Sequence, residues 1–338
     1  MSDLEGRKDL PLVSICIPTY NSQDTVKETL ESVLGQTYRN IEVLVIDNKS
    51  TDRTVEVVRR FRDERLKVIV NEENIGAEGN FNKCIMNSSG EYTGIFHSDD
   101  IYDERIIEKQ VNVFNRFEVG AVFTNGNYID EESHFISKGL IPREAREVTL
   151  SFSKLFELVL KYENFMFTPS ALIKTEVYRV NYPFNYSKYG TSSDLDMWLR
   201  VSKNNFVYII DACLINYRIS RAQGSYNYNK GRTKLSNYFL VMDHHMEQNN
   251  GVHYSEEAIE KYSLRKKRDM IKCNVNRILL GKNSEEYQVS LGFKDLRYAK
   301  SGSVLFLFFS VFIYRLFKNT ILSRWAAVLI NTIHNSFK

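Results

Sequence analysis

The sequence predicts an α/β fold, a mostly parallel sheet with helices on both faces. Three observations predict it. Short runs of apolar, β-branched and aromatic residues at 13–17, 41–46, 66–70, 92–96 and 121–124 read as buried strands, too short for stable helices. Stretches with helical periodicity lie between them, joined by short loops. Three of the runs then end in small polar or acidic residues: Thr19 to Asn21, Asp47 to Ser50, and Ser98 to Asp100. With right-handed crossovers these ends share one edge of the sheet, where ligands bind in open α/β folds.

The elements follow in order. Val13 to Ile17 forms a strand that stops at Pro18. Asp24 can cap a helix through about Gln36, with Val26, Leu30, Val33 and Leu34 on one stripe. Ile41 to Ile46 is a strand apolar but for Glu42, and Thr51 and Asp52 start a helix that turns Val55, Val58 and Phe61 inward. Leu66 to Val70 is a third strand, leading through Asn71 to Gly79 into a helix ending near Met86. Tyr92 to Phe96 is a fourth strand, after which Asp103 opens a charged segment and a helix spans about 106–117. Ala121 to Thr124 is a fifth strand, and beyond residue 230 the chain reads helical at 233–247 and 256–280. The second of these helices carries the basic run Arg265 to Arg268, read as a solvated face.

Composition narrows the function. A formal charge of +3 is too small to support nucleic-acid binding. Cys16, Cys84, Cys213 and Cys273 lie far apart, with no CxxC pair and no His at zinc spacing, so reduced thiols in a cytosolic protein are expected. The polar N-terminus reads as carrying no signal peptide. No GxGxxG follows the first strand and no Walker A motif occurs, which argues against a dinucleotide dehydrogenase or a P-loop phosphotransferase. A nucleotide bound here is held without a glycine-rich phosphate loop, leaving a metal on hard oxygen ligands to neutralise a diphosphate.

The stretch GEYTGIFHSDDIY at 90–102 is pivotal. Two readings of Asp99 and Asp100 stand. They open a helix as caps, or they form a carboxylate pair at a buried strand end that a cation or ligand compensates.

The chain resembles family-2 glycosyltransferases of the GT-A fold. The resemblance lies in SICIPTYN at 14–21, QTYRNIEVLVIDNKSTD at 36–52, NIGAEGNFN at 74–82, GEYTGIFHSDDIY at 90–102, SSDLDMWLRV at 192–201 and INYRIS at 215–220. It implies that Pro18, Thr19, Tyr20 and Asn21 contact a nucleotide-sugar, with Thr19 and Tyr20 beside the base. Asp47 or Asn48 then accepts from base or ribose, and Asn74 and Gly76 lie in a loop over the nucleotide. Asp99 falls on the metal-ligating position, for Mn²⁺ or Mg²⁺ bridging the diphosphate, with Ser98 and Asp100 in support. His97 stands where the family commonly has Asp, and it either packs or assists. Asp194 aligns with the catalytic base, although Ser193 replaces the acidic residue that often precedes it. The bland alternative for Asp194 is a carboxylate that complements a helix dipole. Arg218 approaches the diphosphate or makes an ordinary ion pair, and Ser220 replaces a frequent His. By composition, QGSYNYN at 223–229, with Tyr226 and Tyr228, reads as a mobile loop that could close over donor or acceptor.

The implied reaction is inverting transfer of a sugar from a nucleotide-sugar, UDP-linked by family habit, to a glycan or lipid-linked acceptor. The competing readings are a nucleotidyltransferase and a catalytically silent nucleotide-binding scaffold.

Three regions are expected: a catalytic domain at 1–220, a helical extension at 221–290 and amphipathic helices at 291–338. In the last, Val304 to Tyr314 falls far short of the ~20 residues that span a bilayer. Basic residues including Lys294, Arg297, Arg315 and Arg324 flank its apolar stripes. The expectation is a cytoplasmic protein held peripherally on an anionic membrane surface. Packing against a second subunit or on the catalytic domain is the alternative.

Overall fold

The computed structural model describes residues 10–220, 232–249 and 252–280, with the single positions 288, 289 and 328. The chain divides into two compact units, Met1–Arg221 and Ala222–Lys338.

The first unit is built on one sheet. Its strands are β1 (Val13–Thr19), β2 (Ile41–Asp47), β3 (Leu66–Val70), β4 (Tyr92–Ile95), β5 (Ile101–Tyr102), β6 (Ala121–Ile129), β7 (Phe135–Lys138), β8 (Thr149–Leu150), β9 (Leu172–Lys174) and β10 (Val207–Arg218). The spatial order is β3-β2-β1-β4-β9-β6-β10-β5, with β7 on β6 and β8 on β10. The four strands β3, β2, β1 and β4 run parallel, as do β6 and β10, while β9 lies antiparallel between β4 and β6. Edge strand β3 is only partly covered, whereas β2 is buried at every position. β2 tolerates Glu42 because its carboxylate accepts from Ser14 Oγ at 2.6 Å and from Ser89 N and Oγ at 2.9 and 2.6 Å. Burial pushes the Glu42 carboxyl up, but these donors outweigh it and hold it below its ordinary range. Gly90 allows the same close approach, since a Cβ there would lie 2.6 Å from the Leu12 carbonyl oxygen.

The covering helices are α1 (Val26–Leu34), α2 (Thr54–Arg59), α3 (Gly76–Asn87), α4 (Ile106–Arg116), α5 (Phe152–Tyr162), α6 (Thr175–Asn181), α7 (Tyr186–Tyr189) and α8 (Ser193–Asn204). In α1, Val26, Leu30 and Val33 are completely buried, as the sequence stripe predicts. Each such side chain contributes roughly 1.5–3 kcal/mol of burial.

Several helices start later than the sequence suggests. α1 begins at Val26 rather than at Asp24, and the flanking Thr25 donates to the Ser98 carbonyl oxygen at 2.9 Å instead of capping. Asp52 accepts from Thr54 N at 2.9 Å, so the helix starts two residues late. Asp103 likewise closes a turn onto Arg105 N at 2.9 Å, and α4 begins at Ile106.

The second unit contains α9 (Asn237–Gln248) and α10 (Glu256–Leu279). Asp243 on α9 accepts from Tyr262 and from Lys266 of α10, each at 2.5 Å. Part of the basic run is therefore an interhelical contact and not the solvated face expected of it. Among the described residues no helix is long and apolar enough to cross a membrane.

Candidate active site

The carboxyl ends of β1, β2 and β4 meet. Thr19 Oγ1 donates to Asp47 Oδ1 at 3.1 Å, and Asn48 N donates to the Thr19 carbonyl oxygen at 2.8 Å. Ser50 closes the turn after β2, donating from N to Asp47 Oδ2 at 2.9 Å and from Oγ to Oδ1 at 2.5 Å. Asp47 is thus buried and fixed, with lone pairs left for a ligand. Asn21 and Lys49 adopt φ of +50° and +62°, which bends both strand-end loops in the left-handed region. Asn21 Oδ1 ties the two loops by accepting from Thr51 N at 2.9 Å. Pro18 is half-buried, while Tyr20 keeps 49% of its surface exposed.

Asn48 has other work than the nucleotide contact expected of it. Its Nδ2 donates to Asn74 Oδ1 at 2.7 Å and to the Gly76 carbonyl at 3.1 Å. Its Oδ1 accepts from Asn71 Nδ2 at 3.0 Å and Ile75 N at 2.9 Å. Asn74 Oδ1 also accepts from Gly76 N, so Asn74 and Gly76 (φ +75°) belong to the same internal network. Asn80 and Lys83 of α3 extend it, bonding to Asn71 at 3.1 and 2.7 Å. Asn48 therefore shapes the 71–76 loop, leaving Asp47 as the polar group of this turn with capacity for a ligand.

After β4 the chain leaves the sheet, makes the Ser98-Asp99-Asp100 turn, and re-enters it as β5 against β10. No helix begins at Asp99 or Asp100, so these residues are not helix caps. The turn is pinned from α1 and the loop before it. Ser98 Oγ lies 2.8 Å from Ser22 Oγ, and Thr29 Oγ1 donates to the Asp100 carbonyl oxygen at 2.8 Å. Arg218, at the end of β10, holds it from the other side. Arg218 N donates to Asp100 Oδ1 at 2.9 Å, and its guanidinium donates to the Asp99, Asp130 and Glu131 carbonyls at 2.8, 3.2 and 3.0 Å. It also pairs with Glu28 at 2.7 Å. The ion pair, one of the two sequence readings of Arg218, is present. Its donors reach protein acceptors and position the Asp99–Asp100 turn.

His97 Nδ1 lies 3.7 Å from Asp100 Oδ2. Ligand atoms of His97, Asp99 and Asp100 all fall within 4.8 Å of one another. Asp100 Oδ2 and His97 Nε2 are buried and make no hydrogen bond among the described residues. Burial, reinforced by the Asp99 charge, pushes the Asp100 carboxyl well above its ordinary range. Two carboxylates and an imidazole with orphaned buried atoms fit a divalent cation. His97 also meets the Phe81 ring edge-on at 5.7 Å.

Asp194 enters from α8, in its first turn. Its Oδ1 accepts from Leu195 N at 2.7 Å and its Oδ2 from Thr168 Oγ1 at 2.5 Å. The dipole-complementing role is therefore present, on one oxygen only. Burial pushes the Asp194 carboxyl upward, partly opposed by the Thr168 and Leu195 bonds and by His97. His97 feels the charges of both Asp99 and Asp194, and burial, the larger influence, lowers its pKa. The Tyr217 hydroxyl senses Asp100, Asp99 and Asp194 together. Asp196 turns away, as helical spacing predicts, and pairs with Arg200 at 2.9 Å.

Sequence reading alone missed Thr168, Tyr217, Asn71, Asn80 and Lys83. The polar run Asn71 to Asn82 was visible as a loop and helix, but the mutual satisfaction of its amides depends on contacts made in three dimensions. Thr168, in TPSA, carries no motif signal. The loop expected at 223–229 and the helices expected at 291–338, apart from position 328, lie outside the described residues.

Residues 14–180 match the family model "Glycosyl transferase family 2". The chain is 30% identical over 218 residues to the Escherichia coli UDP-Glc:alpha-D-GlcNAc-diphosphoundecaprenol beta-1,3-glucosyltransferase WfgD, covering 64% of this chain and 80% of that protein. Its fold is similar to that of Staphylococcus aureus TarS in complex with UDP-GlcNAc, with TM-score 0.58 and 16% identity over 94% of this chain and 89% of that one. It is also similar to the mannosyltransferase PcManGT of Pyrobaculum calidifontis in complex with GDP-Man and Mn²⁺, with TM-score 0.53 and 16% identity over 96% and 88% of the two chains. Strand-end carboxylates on a sheet of this order and a relative of this identity agree: the chain belongs to glycosyl transferase family 2 and has the GT-A fold.

Proposed function

We propose that this chain is an inverting, metal-dependent glycosyltransferase that moves a sugar from a UDP-sugar to an acceptor hydroxyl on a lipid-linked glycan, in surface polysaccharide assembly. One observation carries the reading: the charges of Asp99 and Asp194 both act on His97 and on Tyr217, so a candidate cation site and a candidate base lie near one another. The names of the relatives support the substrate classes: a UDP-Glc donor and a diphosphoundecaprenol-linked acceptor for the E. coli enzyme, and UDP-GlcNAc with TarS.

In this reading Asp47 and Thr19 hold the base or ribose, Tyr20 lies against the base, and Pro18, Asn21 and Ser98 complete the wall. Asp99, with Asp100 and His97, would hold Mn²⁺ or Mg²⁺, which would supply positive charge against the negative charge of the departing diphosphate. Asp194 takes the proton of the acceptor hydroxyl as its oxygen bonds to the anomeric carbon. The bond from that carbon to the diphosphate oxygen breaks on the opposite face, its electron pair leaves with UDP, and the configuration inverts. A base pKa raised toward working pH suits proton abstraction better than that of an ordinary Asp. The 291–338 helices would hold the enzyme against the cytoplasmic membrane face, where a lipid-linked acceptor is presented.

The test uses the full chain with UDP-glucose, UDP-GlcNAc or GDP-mannose and Mn²⁺, with or without a GlcNAc-diphospho-polyprenol acceptor. Release of nucleoside diphosphate is expected with a UDP-sugar, to be lost in EDTA and in Asp194→Asn. Wild-type turnover by Asp194→Asn rejects the base, and turnover unaffected by EDTA rejects the metal. Flotation with anionic liposomes, before and after truncation at residue 300, tests the membrane reading, and equal flotation rejects it.

A further inference from the structure

We infer that Thr168 is a positioning residue for Asp194: its hydroxyl, oriented by the Trp198 indole N–H, fixes the rotamer of the carboxylate. The inference rests on the reading of Asp194 as the base.

The geometry has three parts. Asp194 and Trp198 are four residues apart on α8, so both present to the same face, and Thr168 lies there. Trp198 Nε1 donates to Thr168 Oγ1 at 3.4 Å, and Thr168 Oγ1 donates to Asp194 Oδ2 at 2.5 Å. An indole can only donate and a hydroxyl has one proton. Trp198 therefore occupies an acceptor lone pair of Thr168 and leaves its single proton for Asp194.

Thr168 also stands on a rigid support. It opens a short 3₁₀ turn, Thr168–Ser170, whose Ser170 is bound on several sides. Thr124 N donates to Ser170 Oγ at 3.0 Å, Ser170 Oγ donates to the Phe167 carbonyl oxygen at 2.7 Å, and Gln110 Nε2 donates to the Ser170 carbonyl at 2.6 Å. Trp198 is equally immobile, 1% exposed among the rings of Phe123, Tyr178 and Phe184. The second carboxylate oxygen is held by Leu195 N, so both rotational ends of Asp194 are set by fixed donors. The titratable groups whose electrostatics couple to Asp194 are His97, from the turn after β4, and Tyr217, from β10. Neither makes a hydrogen bond to it among the described residues, so orientation falls to Thr168 and Leu195.

A hydrogen bond to a charged group also favours that charge. Removing the Thr168 donor should free the carboxylate to rotate and should raise the pH at which it ionises. A kcat loss on the order of 10–100-fold is expected, with donor KM unchanged, because nucleotide contacts lie elsewhere.

The experiment compares Thr168→Val, Thr168→Ser and Trp198→Phe in the full chain. Kinetics use UDP-glucose, Mn²⁺ and a GlcNAc-diphospho-polyprenol acceptor. The Asp194 carboxyl is also titrated by ¹³C NMR, its resonance identified by its absence from Asp194→Asn. Thr168→Val should lower kcat, keep donor KM and move the titration midpoint to higher pH. Thr168→Ser should restore all three, and Trp198→Phe should move the midpoint in the Val direction but less far. A Thr168→Val midpoint equal to wild type, or a Ser variant as impaired as Val, overturns the inference. Should Thr168→Val fail to fold, the Ser and Phe variants read the same midpoint. The titration needs no turnover, so it still judges Thr168 if Asp194→Asn proves active and the base reading falls.

Discussion

Replacing Arg218 with Met tests whether this arginine is a structural clamp. The guanidinium is 3% exposed and donates to the backbone carbonyls of Asp99, Asp130 and Glu131, so its loss removes donors from all three. Glu131 lies at the surface, where water can replace the donor, but Asp99 and Asp130 are partly enclosed. An enclosed carbonyl without a donor costs about 1–2 kcal/mol, and two of them with some lost packing give about 3 kcal/mol. Glu28, the ionic partner, is half exposed, so Glu28→Gln should cost under about 1 kcal/mol. Urea unfolding reads the stability difference, and calorimetric titration with UDP and Mn²⁺ reads the site. Arg218→Met should lose about 3 kcal/mol and also bind UDP on the order of tenfold more weakly, because the turn carrying Asp99 is no longer held. A Met variant within about 0.5 kcal/mol of wild type that has nonetheless lost UDP binding would refute the reasoning and restore Arg218 as a diphosphate ligand.

Other perturbations separate the remaining roles. Asn48→Asp keeps the shape but turns two donors into acceptors facing Asn74 and Gly76. It should destabilise by about 1–3 kcal/mol, seen as a lower urea midpoint, and faster amide exchange across 71–76 should accompany it. Activity should fall with pH at a higher value than an ordinary Asp would set. Burial favours the neutral form of Asp194 and raises its pKa, and the base works only above that pKa. An acid limb of kcat/KM near pH 4, the range of an unperturbed Asp, contradicts this. Leu30→Ala, at a completely buried site of α1, should cost about 2–5 kcal/mol of unfolding free energy without changing donor affinity.

Much of the first unit was legible before folding. The strand runs at 13–17 and 41–46 appear where apolar continuity marks them, because a parallel strand flanked on both faces has little polar side to show, and the partly covered edge strand at 66–70 appears where its β-branched run marks it. Helix starts were less legible. Thr25 has the chemistry of a cap but donates to the distant Ser98, while Asp52 and Asp103 accept the backbone N–H two residues on and the regular helix begins only beyond that turn. β5 and β9 were missed for a related reason: two- and three-residue strands exist only because β10, β4 and β6 offer them ladders.

The sequence by itself determined the α/β alternation, the polar strand ends and the family resemblance, all of which reside in local composition and order. Tertiary structure decided what each polar residue does. It joined Asn48 to its asparagine neighbours, turned Arg218 onto the carbonyls behind Asp99, and set Thr168 against Asp194 across 26 residues of chain. The physical reason is saturation. A buried donor or acceptor must be satisfied, and which partner satisfies it depends on which elements the fold brings within hydrogen-bond distance.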